Sequence, residues 1–204
     1  LKSGPTTLLT DPFSPSFVGL SLPKQEADIV TISHDHQDHN DLGRLKNSPF
    51  VIKAPGEYEV GGISIFGYPS FHDKDQKIPN NIYLVEAEGI RICHLGDLGT
   101  NLDQKELEML DGVDILLVKV GDKRADRLSP KETVKLIGQI EPYIVIPMHY
   151  RVPQMDQQKW ADIATLEEFL KEYGAEGEKM EKLVIGRAEL KGEETRLVLL
   201  EKKV

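Results

Sequence analysis

The sequence predicts an α/β fold of layered sheets with helices packed outside them. Three observations carry this expectation. The stretch up to His94 reads mainly as short strands separated by turns, and after Asp97 helical and strand patterns alternate. In addition, the helix beginning near residue 130 opens with a capping sequence. The 204 residues are 39% apolar and 29% charged, an ordinary globular balance. One domain spanning residues 1–204 is expected, long enough to build its core without staples.

Taken in order, Thr7-Leu8-Leu9-Thr10 reads as a short strand ending at Asp11-Pro12. Ala27 to Ile32 is a short apolar run rich in β-branched residues, the pattern of a buried strand. Residues 50–71 read as successive strands, with Gly56 and Gly61-Gly62 as turn signals. Residues 81–94 read as a hairpin turning at Glu88-Gly89. A short helix over 103–110 and a strand from Val113 to Val120 follow. Ser129-Pro130-Lys131-Glu132 is a capping box with Pro at the first helical position, so a helix should run over about 130–140. Tyr143 to Pro147 is the next strand. Thr165-Leu166-Glu167-Glu168 opens a helix whose face carries Leu166, Phe169, Leu170 and Tyr173, with Gly174 as its stop. Residues 182–189 and 195–203 read as two strands around Lys191-Gly192-Glu193.

Charge and composition narrow the function. Lys and Arg total 25 against 34 Asp and Glu, a net charge of −9. That balance supplies no general attraction to nucleic acid or to anionic membrane surfaces, so a small-molecule substrate is expected. No apolar run approaches the roughly 20 residues a membrane helix needs, and Leu1-Lys2-Ser3-Gly4-Pro5 does not read as a signal peptide. Cys93 is the single cysteine, which excludes an intrachain disulfide and a Cys-based zinc finger. It fits a reducing compartment, and a cytoplasmic protein is expected. The sequence is compatible with a homo-oligomer.

The histidines carry the chemistry. Three of the six fall in Ser33-His34-Asp35-His36-Gln37-Asp38-His39, and the others are His72, His94 and His149. In an extended or turning segment after a strand, side chains two apart point the same way, so His34 and His36 can grip one ion. Asp38 and His39 follow where the chain turns and can face a second. The run, Asp97 and His149 each follow a strand at its carboxyl end, where α/β sheets place their ligand sites. His94 lies within a strand beside Cys93 and reads as a core or supporting histidine. The loop Gly121 to Arg127 carries mixed charge and reads as a solvated loop.

On these residues the sequence resembles the metallo-β-lactamase superfamily, most of all its lactonase-like branch of metal-dependent hydrolases related to ascorbate-6-phosphate lactonase. The resemblance rests on Thr10-Asp11-Pro12-Phe13, His34-x-His36-x-Asp38-His39, Ser70-Phe71-His72, His94-Leu95-Gly96-Asp97 and Ile146-Pro147-Met148-His149-Tyr150, in that order. It implies an αββα sandwich with metals at one edge, lacking a first strand that the family carries ahead of Leu1. It assigns His34, His36 and His72 to one metal, Asp38, His39 and His149 to a second, and Asp97 to a bridge between them. Asp11 and His94 are implied as supports behind the ligands. Lys119 departs from the family, which carries Pro or an apolar residue there.

The function that follows is a metal-dependent hydrolase acting through a metal-bound hydroxide on a small ester, lactone or phosphorylated metabolite. The nitrogen-rich donor set suits one or two Zn²⁺ ions and is compatible with Mn²⁺ or Fe²⁺. Asp38 is the candidate catalytic residue, orienting the hydroxide or passing a proton to the leaving group. The alternatives are a phosphodiesterase or nuclease of the same superfamily and a non-catalytic metal-binding module.

Overall fold

Alternation of apolar residues along short strands builds the small sheet first. The computed structural model describes residues 1–192 and 194–201. In it β1 (Lys2–Ser3) and β2 (Thr6–Thr10) precede a single-turn helix α1 (Pro15–Val18), followed by β3 (Ile29–Thr31) and β4 (Phe50–Ile52). They pair in the order β1-β2-β3-β4, with β2, β3 and β4 parallel. Leu8, Ile29 and Ile52 face the second sheet. Leu9, Val30 and Val51 face outward, beneath Leu42 and Leu45 of a 3₁₀ turn. This two-residue period is what a sheet covered on both sides requires.

The large sheet has eight strands. β5 (Gly56–Val60), β6 (Ile63–Phe71), β7 (Pro79–Ala87) and β8 (Ile90–His94) form an antiparallel meander. After α2 (Gln104–Met109), β9 (Ile115–Lys119) joins β8 in parallel; after α3 (Pro130–Ile140), β10 (Ile144–Met148) joins β9. α4 (Leu166–Tyr173) leads to β11 (Glu178–Met180) and β12 (Arg196–Leu200), and the sheet order is β11-β12-β10-β9-β8-β7-β6-β5. The turn between β7 and β8 places Glu88 at φ 51° and Gly89 at φ 74°, the positive pair that a tight two-residue hairpin demands.

Between the sheets, Ile63, Ile65, Tyr83 and Val85 meet the small sheet. Tyr83 is fully buried, and its hydroxyl donates to the Ile32 carbonyl at 2.9 Å and the Ile52 carbonyl at 3.3 Å, tying the layers together. The opposite face of the large sheet packs Leu84, Cys93, Leu116 and Val145 against Leu136, Ile137, Ile140 and Phe169 of α3 and α4. Both helices, and α2, begin with complete capping boxes at Ser129, Thr165 and Asp103, each worth about 1 kcal/mol of helix stability. The layering is the αββα sandwich, its outer cover over the small sheet thinned to a turn and loops.

One expected strand is absent. Residues 182–189 form coil ending in a 3₁₀ turn over Arg187–Glu189. The free edge of β12 is taken by β11, paired in parallel. The segment crosses the sheet face instead of joining the ladder and, with Leu190 just beyond it, packs Leu183 and Ile185 around Ile115, Ile144 and Val198. The last expected strand begins at Arg196, one residue later than the sequence predicts, and ends at Leu200. Its remaining expected residues 202 and 203, and Glu193 of the preceding turn, lie outside the described residues. β1, unanticipated, pairs antiparallel with β2.

Candidate metal centre

Parallel pairing of β2 with β3 places Asp11, the residue after β2, beside Ser33. The Asp11 carboxylate accepts the Ser33 amide at 2.7 Å, the Ser33 hydroxyl at 2.5 Å and His39 Nδ1 at 2.7 Å. It thereby ties the start of the histidine run to its end. The Pro12–Ser14 segment clasps the run from outside: Ser14 donates its amide to the Gln37 carbonyl, and the Asp41 amide donates to the Pro12 carbonyl. Asp11 and His149 both adopt positive φ, 42° and 54°. Such conformations are uncommon outside glycine and gather at functional positions.

The expected residues converge. His34, His36 and His72 each offer an atom within 4.8 Å of the others; so do His34, His39 and Asp97, and so do Asp38, His39 and His149. His34 Nε2 lies 2.9 Å from His36 Nδ1. Asp97 Oδ2 is 2.5 Å from His72 Nε2 and 3.9 Å from His149 Nε2. Asp38 Oδ2 stands 3.7 Å from both His39 Nε2 and His149 Nε2. Asp97 thus sits where the two groups meet. His94 is buried behind the cluster, its Nε2 3.9 Å from Asp11 Oδ2.

Each side chain comes from the carboxyl end of a strand: Asp11 after β2, the run after β3, His72 after β6, Asp97 after β8 and His149 after β10. His72 is gripped by its backbone. Its amide donates to the Ile78 carbonyl, and Gly99 donates its amide to the preceding Phe71 carbonyl. Gly99 approaches so closely that a Cβ there would collide with the His72 carbonyl oxygen.

Burial and charge set the protonation states. Loss of water, with His39 next in effect, lowers His34 to about 3; burial and then His72 lower His36. Both rings are therefore neutral near pH 7, with lone pairs available to a cation. Burial alone would raise the Asp97 carboxyl, but Lys119, His149 and His72 together hold it well below the usual carboxylate range. Burial opposes ionisation of Asp11 as well, and His39 chiefly brings it down to about 2. Burial likewise raises Asp38, against which the nearby His149 and His39 prevail, leaving it ionised. For His39, burial works downward, and the Asp11 charge and hydrogen bond raise it.

These groups fit a divalent cation. His39 donates from Nδ1 to Asp11, which leaves a lone pair on Nε2, and that buried atom has no hydrogen-bond partner among the described residues. A carboxylate behind an imidazole is the arrangement that orients metal-ligating histidines. His36 is exposed and marks the side of the cluster open to solvent.

Two contributors went unrecognised in the sequence, and a third, Lys119, stood out there only as a departure from the family. Ser33 also meets His34 Nδ1 at 3.0 Å. Asn80, at the start of β7, accepts the Asp97 amide at 3.0 Å and donates to the Leu95 carbonyl. Lys119 touches Asp97. A lysine within the apolar run Ile115 to Val120 was the legible signal for the last; Ser33 and Asn80 carry no such mark. In the 121–127 loop Arg124 pairs with Asp126 and Lys123 with Glu168 of α4, but Asp122 and Arg127 are buried, so the expected solvated loop holds only for residues 123–126.

Residues 1–149 match the family described as the beta-lactamase superfamily domain. The chain is 28% identical over 217 residues to a metal-dependent hydrolase of Thermococcus onnurineus, covering 92% of this chain and 88% of the relative. To a metal-dependent hydrolase of Archaeoglobus fulgidus it is 24% identical over 183 residues, 74% of this chain and 78% of the relative. A crystal structure from Thermotoga maritima, assigned as a Zn-dependent hydrolase of the metallo-β-lactamase superfamily, is 31% identical with a TM-score of 0.75. That match covers 98% of this chain and 91% of the other.

Proposed function

Since the chain belongs to the metallo-β-lactamase superfamily, we propose that it is a metal-dependent hydrolase and that the histidine–aspartate cluster is its active centre. His34, His36 and His72 would hold one ion, Asp38, His39 and His149 a second, and Asp97 stands within reach of both groups. The single observation that supports this most is the convergence of these seven side chains from four strand ends into overlapping groups of ligand spacing. Five imidazoles, two carboxylates and no thiolate suit Zn²⁺, and Mn²⁺ and Fe²⁺ accept the same donors. When bound, the metal supplies a water whose pKa falls from about 15.7 to about 7 and an electrophile for the substrate oxygen.

The chain's own residues do the rest. Asp38, ionised and 3.7 Å from both His39 and His149, is placed to orient the attacking water or to carry a proton to the leaving group. Asp11 fixes the tautomer and ring plane of His39, with His94 behind it. The substrate enters beside His36 and is a small ester, lactone or phosphorylated metabolite. The acidic surface disfavours a polyanion, and the protein works in the cytoplasm. No helix of the described residues is long and apolar enough to cross a membrane.

Elemental analysis of the purified protein tests this reading and should find about two metal ions per chain. Chelation should abolish hydrolysis of a lactone, ester and phosphodiester panel, and added zinc should restore it. A metal-free protein with undiminished turnover would refute the proposal. Gly99→Ala bears on His72 in particular. Its methyl must displace the His72 backbone, so zinc affinity should fall about tenfold or more and stability by roughly 1–3 kcal/mol. Chelator competition and urea unfolding measure the two; unchanged affinity would remove His72 from the ligand set.

A further inference from the structure

Lys119 is the last residue of β9, between β8, which leads to Asp97, and β10, which leads to His149. It is 3% exposed in a run otherwise made of Ile, Leu and Val. A buried ammonium is costly unless a counter-charge meets it. Two carboxylates do so. Asp97 Oδ1 is in direct ion-pair contact, and Asp122 Oδ2 lies 3.7 Å away. Among the described residues Lys119 Nζ makes no other polar contact. Asp122 is itself held, its amide donating to the Leu128 carbonyl and its Oδ1 accepting the Arg124 amide at 3.3 Å. Its Oδ2 is thus left toward the lysine.

We propose that Lys119 is a positioning residue of the metal centre: an internal cation that occupies Asp97 Oδ1, competes with divalent ions for that carboxylate, and passes to Asp122 when an ion draws Asp97 away. The inference rests on the cluster binding metal as proposed above. Its physical content is a sign. A fixed positive charge on the shared ligand repels every cation that binds there, so the lysine weakens metal binding while it stabilises the metal-free protein. A lysine that merely packs would not weaken metal binding in this way.

The test is competitive titration of the metal-free protein with zinc against a chromophoric chelator, paired with thermal melting. Lys119→Met should tighten zinc binding about tenfold or more, by removal of the repelling charge. It should also lower the melting temperature of the metal-free form and enlarge the rise on adding zinc. Lys119→Arg keeps the charge and should bind zinc within about threefold of wild type. Asp122→Asn removes the second acceptor and should weaken zinc binding by roughly three- to tenfold, since the lysine then has only Asp97. Unchanged or weaker zinc binding in a folded Lys119→Met protein overturns the proposal. If that variant does not fold, Asp122→Asn decides: unchanged affinity there overturns it equally. A wild type that binds no zinc sinks the metal centre and this inference together, whereas zinc binding with unshifted variants sinks only the role of Lys119.

Discussion

Replacing Asp97 with alanine is expected to strip metal from the site and reduce hydrolysis by about 10³-fold or more, the rate equivalent of roughly 4 kcal/mol. The argument is positional. Asp97 Oδ2 is the carboxylate oxygen that approaches both His72 and His149, at 2.5 and 3.9 Å. Without it the two ligand groups share no anion. The alanine variant also takes from Lys119 its nearer carboxylate and leaves Asp122, 3.7 Å away, as its counter-charge, so a stability loss of about 1–3 kcal/mol accompanies the loss of activity. Asp97→Asn separates the two effects: it keeps the volume and the backbone hydrogen bond to Asn80 while removing the charge. Metal content, turnover on the ester and lactone panel, and circular dichroism measure the outcome. Wild-type metal content with retained turnover in either variant would defeat the assignment of Asp97.

The second large effect is expected at Asp11, which lies behind the ligands. Asp11→Ala removes the acceptor of His39 Nδ1 and both contacts to Ser33, and it places alanine at φ 42°, a conformation that Asp and Asn tolerate better. Zinc affinity should fall by about 10- to 100-fold, the usual effect of losing a carboxylate behind a ligating imidazole. Stability should fall by about 3–5 kcal/mol as the buried His39 partner is lost. Asp11→Asn keeps the backbone conformation and one oxygen acceptor, so it should lie between wild type and alanine on both scales. Chelator competition and urea unfolding provide the readings. An alanine variant with wild-type zinc affinity would reduce Asp11 to a turn residue before Pro12.

The site was legible in unusual measure because its densest part is local. His34, His36, Asp38 and His39 lie within six residues, and their spacing sets their common direction once the strand before them is recognised. The strand ends near residues 32, 94 and 147 marked where distant partners would gather. The supports were less visible. Ser33 acts through Asp11, 22 residues earlier, and Asn80 acts on Asp97 from 17 residues away. Ser33 opens the histidine run and Asn80 lies in β7, yet a single polar residue carries no mark of its distant partner. The segment 182–189 failed for a related reason. Its apolar pattern is real, since Leu183 and Ile185 do pack on the sheet, but they pack on its face, while β11 is the strand that pairs with β12.

By itself the sequence determined the starts of the three capped helices, the hairpin turn at Glu88-Gly89 and the chemical type of the candidate site, because these depend on neighbours within a few residues. The tertiary structure alone decided which segment pairs with β12, that Ser33 and Asn80 hold Asp11 and Asp97, and that Lys119 sits on Asp97. Those outcomes depend on which strands lie side by side, and a pattern along one segment reports its own faces but not what the rest of the chain brings against them.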